Sequence, residues 1–387
     1  MGSEMTPEPQ RTYILELITA LGSAADGFVL AGAQAMKFFL PRARGTRDFD
    51  FVLDTISLRG QPASIAGKLR ELGYLPIEGA RNFQFQKTIP NSSEVMRIEF
   101  MAPEEHKRQS DFRVDIQDGI HARACTGGTI VLVESDPYEI SGSLPSGESA
   151  RVSLRVTRPH ALVMLKCLAM DDRYRHVRGR GQAEHDRNEA RVHVADIIAI
   201  ISAQADLLIF QSQFDRQFGS DRDLDVRVRK IAQEYFGSEM APGFLLYEES
   251  LVANRPAGDS DQRRMVPSEL KRAHMLMKCL LPRSQNFEIL RQSVEDILNN
   301  QFTESFLSDL QEHGVNATDF DRALSFLPWP GGAFGKGSVF ESTSSAFTKL
   351  DNFEKELIRI RYRQVIEQLQ EDQPELTNRF ESMFRRS

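Results

Sequence analysis

Asp48 and Asp50, separated by one residue, stand at the start of the apolar run 48–53, which follows a glycine turn at Gly32. Residues 28–36 predict a strand, a tight turn at Gly32 and a short helix, and residues 44–53 predict a loop and a second strand. Side chains alternate across a strand, so the two carboxylates lie on one face and can bind one metal ion. The pattern therefore predicts a sheet that presents an acid pair beside a glycine turn.

The residue types around this acid pair suit a complex of magnesium and a triphosphate. Mg²⁺ takes one or two carboxylates from a protein and fills its remaining positions with water and phosphate oxygens. Backbone N–H groups at the Gly32 turn, at the start of a helix, can bind the same phosphates. Arg44 and Thr46 add a cation and a hydroxyl just ahead of the acid pair.

The run Gly32-Ala33-Gln34-Ala35, followed by Arg44-Gly45-Thr46-Arg47-Asp48-Phe49-Asp50, resembles motif I of the polymerase-beta-like nucleotidyltransferase superfamily. Within that superfamily it resembles the AbiEii-type group of toxin-like enzymes. Ala33 stands where the family usually has Gly or Ser. The resemblance implies two Mg²⁺ ions, held by Asp48, Asp50 and a third carboxylate, and a nucleoside triphosphate bound by residues that include Gly32, Ala33, Arg44 and Thr46.

The third carboxylate is expected on a neighbouring strand. Residues 95–101 alternate as a strand and are predicted to form a hairpin with residues 82–87, which makes Glu99 our preferred candidate. Asp115, in the strand-like segment 113–116, is the alternative, because Asp is the commoner residue at this position in the family. In either case the carboxylate would bind metal and accept the proton of the attacking hydroxyl.

Two further residues are implicated by the resemblance. Lys166 interrupts an apolar helix predicted over residues 159–173 and matches a family lysine that points at the phosphates. Asp196 lies in the run 191–201, which resembles the closing helix of the family with its single Asp. Both are therefore expected to be nucleotide-binding residues.

A basic segment, 173–191, lies between these two predicted helices and contains six arginines. It is either a solvated loop or a clamp on an RNA backbone or on the incoming triphosphate. The formal net charge of the chain is -7, which argues against wholesale electrostatic binding of nucleic acid. The two interpretations of the segment are left open.

The order of predicted elements indicates an α+β fold: an N-terminal nucleotidyltransferase-type mixed sheet with helices, followed by a mainly α-helical C-terminal region. The expected domains are a catalytic domain over 1–158, a helical domain closing the site over 159–327, and a linker with C-terminal helices over 328–387. Helices are predicted at 13–21, 63–72, 269–281, 287–301 and 353–369, and strands also at 129–134 and 150–156.

Several classes of protein are disfavoured. The Gly-rich stretch 328–338 is read as a linker rather than a phosphate loop, because Lys336 is followed by Gly337 instead of Ser or Thr. Three distant cysteines disfavour a disulfide framework or a zinc site. The sequence shows no signal pattern and no apolar run of ~18 residues, so we expect a cytoplasmic protein that does not bind membranes.

The expected reaction is Mg²⁺-dependent transfer of a nucleoside monophosphate from a nucleoside triphosphate to a hydroxyl acceptor. The AbiEii-like resemblance implies a toxin-type enzyme that acts on tRNA or another RNA and is opposed by a cognate antitoxin protein. One alternative is an adenylyltransferase of small molecules such as antibiotics. Another is a degenerate module that binds nucleotide or RNA without catalysis.

Overall fold

The computed structural model describes residues 9–284 except 41–42, 81, 105–112, 177–182, 220 and 254–259, together with short pieces between 287 and 364. The chain divides into two compact units, Met1–Leu281 and Pro282–Ser387. The domain boundary predicted after residue 158 coincides with the end of the last strand and the start of a long helix within the first unit. The boundary predicted after residue 327 lies outside the described residues.

The described residues of the first unit form one mixed sheet of nine strands, so the α+β class predicted from the sequence is confirmed. The strands are β1 (Phe28–Ala31), β2 (Asp48–Leu53), β3 (Leu75–Pro76), β4 (Gln84–Thr88), β5 (Val95–Pro103), β6 (Arg113–Gln117), β7 (Ile120–Cys125), β8 (Ser135–Ser143) and β9 (Ser149–Thr157). Along the main path of the sheet the strand order is β3-β4-β5-β2-β1-β9-β8, and β7 pairs with both β5 and β6.

The long strand β5 organises the part of the sheet that carries the predicted site. One edge of β5 pairs in parallel with β2. Its other edge is shared, because the first half pairs antiparallel with β4 and the last residues pair in parallel with β7. The predicted hairpin of residues 82–87 with residues 95–101 is therefore confirmed.

Apolar side chains of the central strands build the core on the face opposite the acid pair. Phe49 and Phe51 alternate with Asp48 and Asp50 along β2 and are fully buried. The ring of Phe28 on β1 makes edge-to-face contacts with Phe51 on β2 and with Phe100 on β5, with ring centroids 5.6 and 5.7 Å apart. This is the spacing that aromatic pairs prefer. The face of β2 that carries Asp48 and Asp50 is therefore not part of this core.

Helices precede, interrupt and follow the sheet. Those predicted at 13–21 and 63–72 are confirmed, and the helix predicted at 269–281 is the C-terminal part of a helix that begins at Ser260. The helices are α1 (Gln10–Leu21), α2 (Gly32–Met36), α3 (Thr55–Arg59), α4 (Ile65–Glu71), α5 (Gly128–Val133), α6 (Pro159–His176), α7 (Ala183–Ser202), α8 (Leu207–Arg216), α9 (Arg222–Phe236), α10 (Pro242–Ala253) and α11 (Ser260–Met277).

The strand predicted at 129–134 is wrong, because this segment forms α5. Gly127, just before the helix, adopts φ +81°, and Gly128 starts the helix so close to β5 that a Cβ would lie 2.9 Å from the backbone nitrogen of Pro103. A short apolar run without alternation fits a buried helix as well as a strand. The strand that pairs with β9 is instead β8, which follows α5 directly.

In the second unit, Glu354 accepts hydrogen bonds from the backbone nitrogen and the hydroxyl of Ser284, at 2.7 and 3.0 Å. Most of the helices predicted at 287–301 and 353–369, and all of the Gly-rich stretch 328–338, lie outside the described residues.

Within the described part of the chain no single helix has the length and apolar character of a membrane span, whereas α7 and α8, bent by 120° to each other, meet both criteria only as a pair.

Candidate active site

A cavity of about 1050 Å³ lies between the polar face of the sheet and helices α6 and α7. Most residues predicted for the site line this cavity, although they come from segments more than 130 residues apart. Asp115 and Asp196 do not line it. The predicted residues that do are Gly32, Ala33, Arg44, Thr46, Asp48, Asp50, Glu99 and Lys166.

Strand register brings three carboxylates together on the floor of the cavity. Asp50 of β2 is the direct neighbour of Glu99 on the parallel strand β5, and Asp48 is the direct neighbour of Arg97. Because side chains two residues apart share a face, Asp48, Asp50 and Glu99 all point to the same side of the sheet. The strand β5 thus places the cation Arg97 beside Asp48 and the anion Glu99 beside Asp50.

Gly32 makes the close approach of α2 to this acid pair possible. Its φ is +63°, a conformation that L side chains rarely adopt. A Cβ at this position would lie 1.8 Å from Oδ2 of Asp50. The turn therefore requires glycine for two reasons, its backbone angle and the carboxylate that lies against it. The helix that follows has only five residues, so any helix dipole at this turn is small.

The carboxyl of Asp50 is electrostatically frustrated. Burial, together with the neighbouring carboxylates Glu99 and Asp48, raises its pKa to about 7, although Lys166 and Arg123 act in the opposite direction. A divalent cation at this position would relieve the repulsion between the carboxylates. The raised pKa of Asp50 is therefore what we expect at a carboxylate that binds a cation.

Glu99 is held by two neighbours in the sheet. Gln84 of β4 donates a hydrogen bond from Nε2 to Glu99 Oε2, at 2.7 Å. Nη2 of Arg123, on β7, lies 3.1 Å from Glu99 Oε1. This ion pair is not aligned as a hydrogen bond, and Oε1 has no hydrogen-bond partner among the described residues. One oxygen of Glu99 thus retains acceptor capacity.

Asp115, the alternative third carboxylate, lies elsewhere. It is on β6, its side chain is 86% exposed, and Oδ1 lies 3.2 Å from Nε2 of His121. Between the two candidates, the geometry therefore favours Glu99.

Lys166 and Asp196 form a buried ion pair between α6 and α7. Nζ of Lys166 lies 2.6 Å from Oδ2 of Asp196, and both side chains are only 5% exposed. Nε of Arg44, whose side chain is 42% exposed, lies 3.3 Å from the same carboxylate. Asp196 is thus positioned behind Lys166 and anchors two cations that line the cavity, instead of facing the cavity itself.

His193, one turn before Asp196 on α7, also lines the cavity. Burial and the neighbouring ammonium of Lys166 lower its pKa to about 3, so the imidazole is neutral at pH 7. Its Nδ1 is buried with no hydrogen-bond partner among the described residues.

The loop that leads into β2 is fixed by polar contacts to its backbone. Gln34 of α2 donates a hydrogen bond to the carbonyl oxygen of Thr46 at 2.7 Å. The hydroxyl of Thr46 accepts from the backbone nitrogen of Asp48 at 3.2 Å. The glycine turn and the acid pair are therefore joined through residue 46.

The described arginines of the basic segment are largely paired within the chain. Arg173 Nη1 lies 3.2 Å from Asp186, Arg175 Nε lies 2.6 Å from Asp171, and Arg187 pairs with Glu249. Residues 177–182, with Arg178 and Arg180, lie outside the described residues. Of the described arginines in this segment, Arg173 lines the cavity.

The sequence interpretation missed Arg123 and Gln84. Gln84 was inside a predicted strand without an assigned role. Arg123 lies on β7, which pairs antiparallel with β6 across the dipeptide Asp118-Gly119, and Gly119 has φ +75°. An Asp-Gly dipeptide between two alternating runs is a strong hairpin signal, so β7 could have been predicted from it.

Among the described residues no group of three or more His, Cys, Asp and Glu side chains is arranged to hold a metal ion. Two carboxylates are nevertheless sufficient for Mg²⁺, which takes its other ligands from water and phosphate. Asp48 and Asp50, on one face and facing a polar cavity, fit this requirement.

Comparison of the chain with family models, with curated proteins and with solved structures found no match.

Proposed function

We propose that the chain is a Mg²⁺-dependent nucleotidyltransferase that transfers a nucleoside monophosphate from a nucleoside triphosphate to a hydroxyl acceptor: the acceptor oxygen attacks the α-phosphorus and pyrophosphate leaves. The observation that carries the proposal is the register of β2 and β5, which sets Asp50 beside Glu99, together with the backbone of Gly32 against the Asp50 carboxylate. The proposal includes the finer description of the fold, a nucleotidyltransferase-type sheet followed by a helical region that closes the site.

In this mechanism Asp48 and Asp50 would hold the metal, with Glu99 as the third carboxylate. The bound metal would neutralise phosphate charge and lower the pKa of the attacking hydroxyl. Glu99 has an oxygen free of hydrogen bonds to the described residues, and this oxygen can accept the proton of that hydroxyl. Lys166, held by Asp196, and Arg44 supply positive charge to the phosphates, and the neutral His193 is a polar group beside them.

A transfer assay tests the reaction. Purified protein with Mg²⁺ is incubated with each α-³²P-labelled nucleoside triphosphate and with total RNA, cell protein or a panel of aminoglycosides as acceptor. We expect labelled acceptor with the wild type and with Asp115→Asn, and none with Asp50→Asn. Because Asp115 is an exposed carboxylate on another strand, it is a matched control for the charge change.

The acceptor has two candidates. A tRNA or another RNA, with a cognate antitoxin as protein partner, follows from the AbiEii-like resemblance and from the arginines of segment 173–191. A small molecule is favoured by the charge balance of the cavity. Three described arginines of the segment are paired internally, and Glu104 and Glu189 line the cavity together with its cations. Six carboxylate side chains and six Lys or Arg side chains line the cavity, so the lining offers no net positive charge to an RNA backbone, and its carboxylates can bind a cationic, hydroxylated acceptor.

The outcomes of the assay separate these proposals. Label in a tRNA-sized band that requires Asp50 supports the toxin-type enzyme, and label on an aminoglycoside supports the small-molecule enzyme. Binding of Mg²⁺ and nucleotide with no transfer to any acceptor supports a non-catalytic module and contradicts the proposed reaction.

A further inference from the structure

Arg123 is a cation of the sheet that contacts the carboxylate cluster through Glu99. It lies on β7 in register with Met101 of β5, two residues beyond Glu99 on the same strand face. Its Nη2 atom is 3.1 Å from Glu99 Oε1, and its side chain is 49% exposed, against 20% for Glu99. The guanidinium therefore projects into the cavity and is not packed in the core.

The ion pair with Arg123 involves Glu99, a carboxylate that the proposed reaction requires. Three acidic side chains on neighbouring positions repel one another, and a positive charge among them relieves part of that repulsion. Arg123 supplies such a charge to Glu99. Gln84 holds the other oxygen at 2.7 Å, so Glu99 has protein neighbours at both oxygens without any metal.

Arg97 provides an internal comparison. It lies on the same face of β5, two residues before Glu99, and it is the cross-strand neighbour of Asp48. Unlike Arg123, it has no side-chain ion pair or hydrogen bond with any described residue, and it is exposed. The two arginines thus place equal charges near the acid pair, but only Arg123 contacts Glu99.

We propose that Arg123 is a resident counter-ion, which holds Glu99 while the site lacks a divalent cation and is displaced from it when the cation binds. The proposal rests on the proposed function. Because half of its side chain is exposed, Arg123 can leave Glu99 for solvent at little cost. The exchange makes the cation compete with the guanidinium, so the ion pair weakens metal affinity without abolishing it.

The test is Mn²⁺ binding to the full-length protein without nucleotide, measured from the electron paramagnetic resonance signal of free Mn²⁺. We expect Arg123→Gln to bind Mn²⁺ about fivefold more tightly than the wild type, the factor expected from the loss of one partly exposed ion pair. Arg97→Gln removes the same charge and is expected to change the affinity less than about twofold. Arg123→Lys keeps the charge and is expected to stay close to the wild type.

The same titration separates failure of this inference from failure of the proposed function. If Arg123→Gln binds Mn²⁺ no more tightly than Arg97→Gln, or more weakly than the wild type, the counter-ion proposal is overturned. If the wild type binds no Mn²⁺, or if Asp50→Asn binds it equally well, the metal site itself is wrong and both proposals fail. Far-ultraviolet circular dichroism of each variant confirms that it is folded, and Arg123→Met, which also removes the charge and should bind Mn²⁺ more tightly than the wild type, replaces Arg123→Gln if that variant does not fold.

Discussion

The backbone of Gly32 lies directly against the carboxylate of Asp50, with no room for a side chain between them. A Cβ at residue 32 would be 1.8 Å from Oδ2 and 2.7 Å from Cγ of Asp50. The glycine turn and the acid pair, 18 positions apart in the sequence, are therefore one structural unit. Anything that enlarges residue 32 must displace the carboxylate.

We expect Gly32→Ala to destabilise the protein and to impair metal binding. The left-handed backbone costs an L residue ~1–2 kcal/mol, and the clash with Asp50 adds ~1–3 kcal/mol. Gly73→Ala is the matched control, since Gly73 has φ +82° but a Cβ added there would meet no atom within 4 Å. Urea unfolding of both variants measures the difference, and equal losses of stability would contradict the close approach at Gly32.

The raised pKa of Asp50 predicts a pH dependence of stability in the absence of divalent metal. Its folded pKa of about 7 exceeds the value of about 3.9 expected in the unfolded chain, so the folded state binds the extra proton. Stability from this group is full below about pH 4 and is lost as the pH rises towards about 7.

We therefore expect the wild type to lose ~1–2 kcal/mol more than Asp50→Asn between pH 5 and pH 8, a discounted figure because Asp50 is half-buried. Urea unfolding of both proteins at the two pH values, with a chelator present, measures this difference. A parallel change in the two proteins would show that Asp50 does not titrate in this range.

The buried pair of Lys166 and Asp196 predicts unequal effects of removing its two cations. Among the described residues, Lys166→Met leaves the buried carboxylate of Asp196 paired only with the partly exposed Arg44, and we expect a loss of ~2–4 kcal/mol. Arg44→Met removes the outer cation and is expected to cost ~1 kcal/mol or less. In Lys166→Met/Asp196→Leu, neither buried charge remains, so much of the stability should return. Chemical denaturation of the three variants checks this, and a double variant no more stable than Lys166→Met would contradict it.

The start of α5 predicts that Gly128 does not tolerate a side chain. A Cβ there would lie 2.9 Å from the nitrogen and 3.0 Å from the Cα of Pro103, and backbone atoms move less easily than side chains. We expect Gly128→Ala to cost ~1–3 kcal/mol in unfolding free energy. Gly60→Ala is a suitable control, since its Cβ would meet only the carbonyl oxygen of Ser57 at 3.8 Å. Thermal unfolding compares them.

The sequence predicted the floor of the cavity well because the information there is local. Alternation places Asp48 and Asp50 on one face, and the hairpin of β4 and β5 could be read from the turn between residues 88 and 95. The parallel pairing of β2 with β5, which sets Asp50 beside Glu99, required the additional assumption that these strands are neighbours. Here the resemblance supplied what the periodicity could not.

Contacts between distant segments were beyond sequence reasoning. Neither the pairing of Asp196 with Lys166 and Arg44 nor that of Glu99 with Arg123 follows from spacing, because each joins different elements. The error at α5 has a local cause, since an apolar β-branched run carries no period by which to separate a helix from a strand. What decided it was the fit of Gly128 against the backbone of Pro103.

The contact between Arg44 and Asp196 spans 152 residues, and this separation has a consequence for biosynthesis. At ribosomal speeds of about 5–20 residues per second, roughly 8–30 s pass between the emergence of these two residues. During that interval the nascent chain carries the acidic strand β2 without the helix that anchors its loop. The cavity is thus assembled late in translation of the first unit, and an incomplete chain that stops before α7 lacks the anchor for both Arg44 and Lys166.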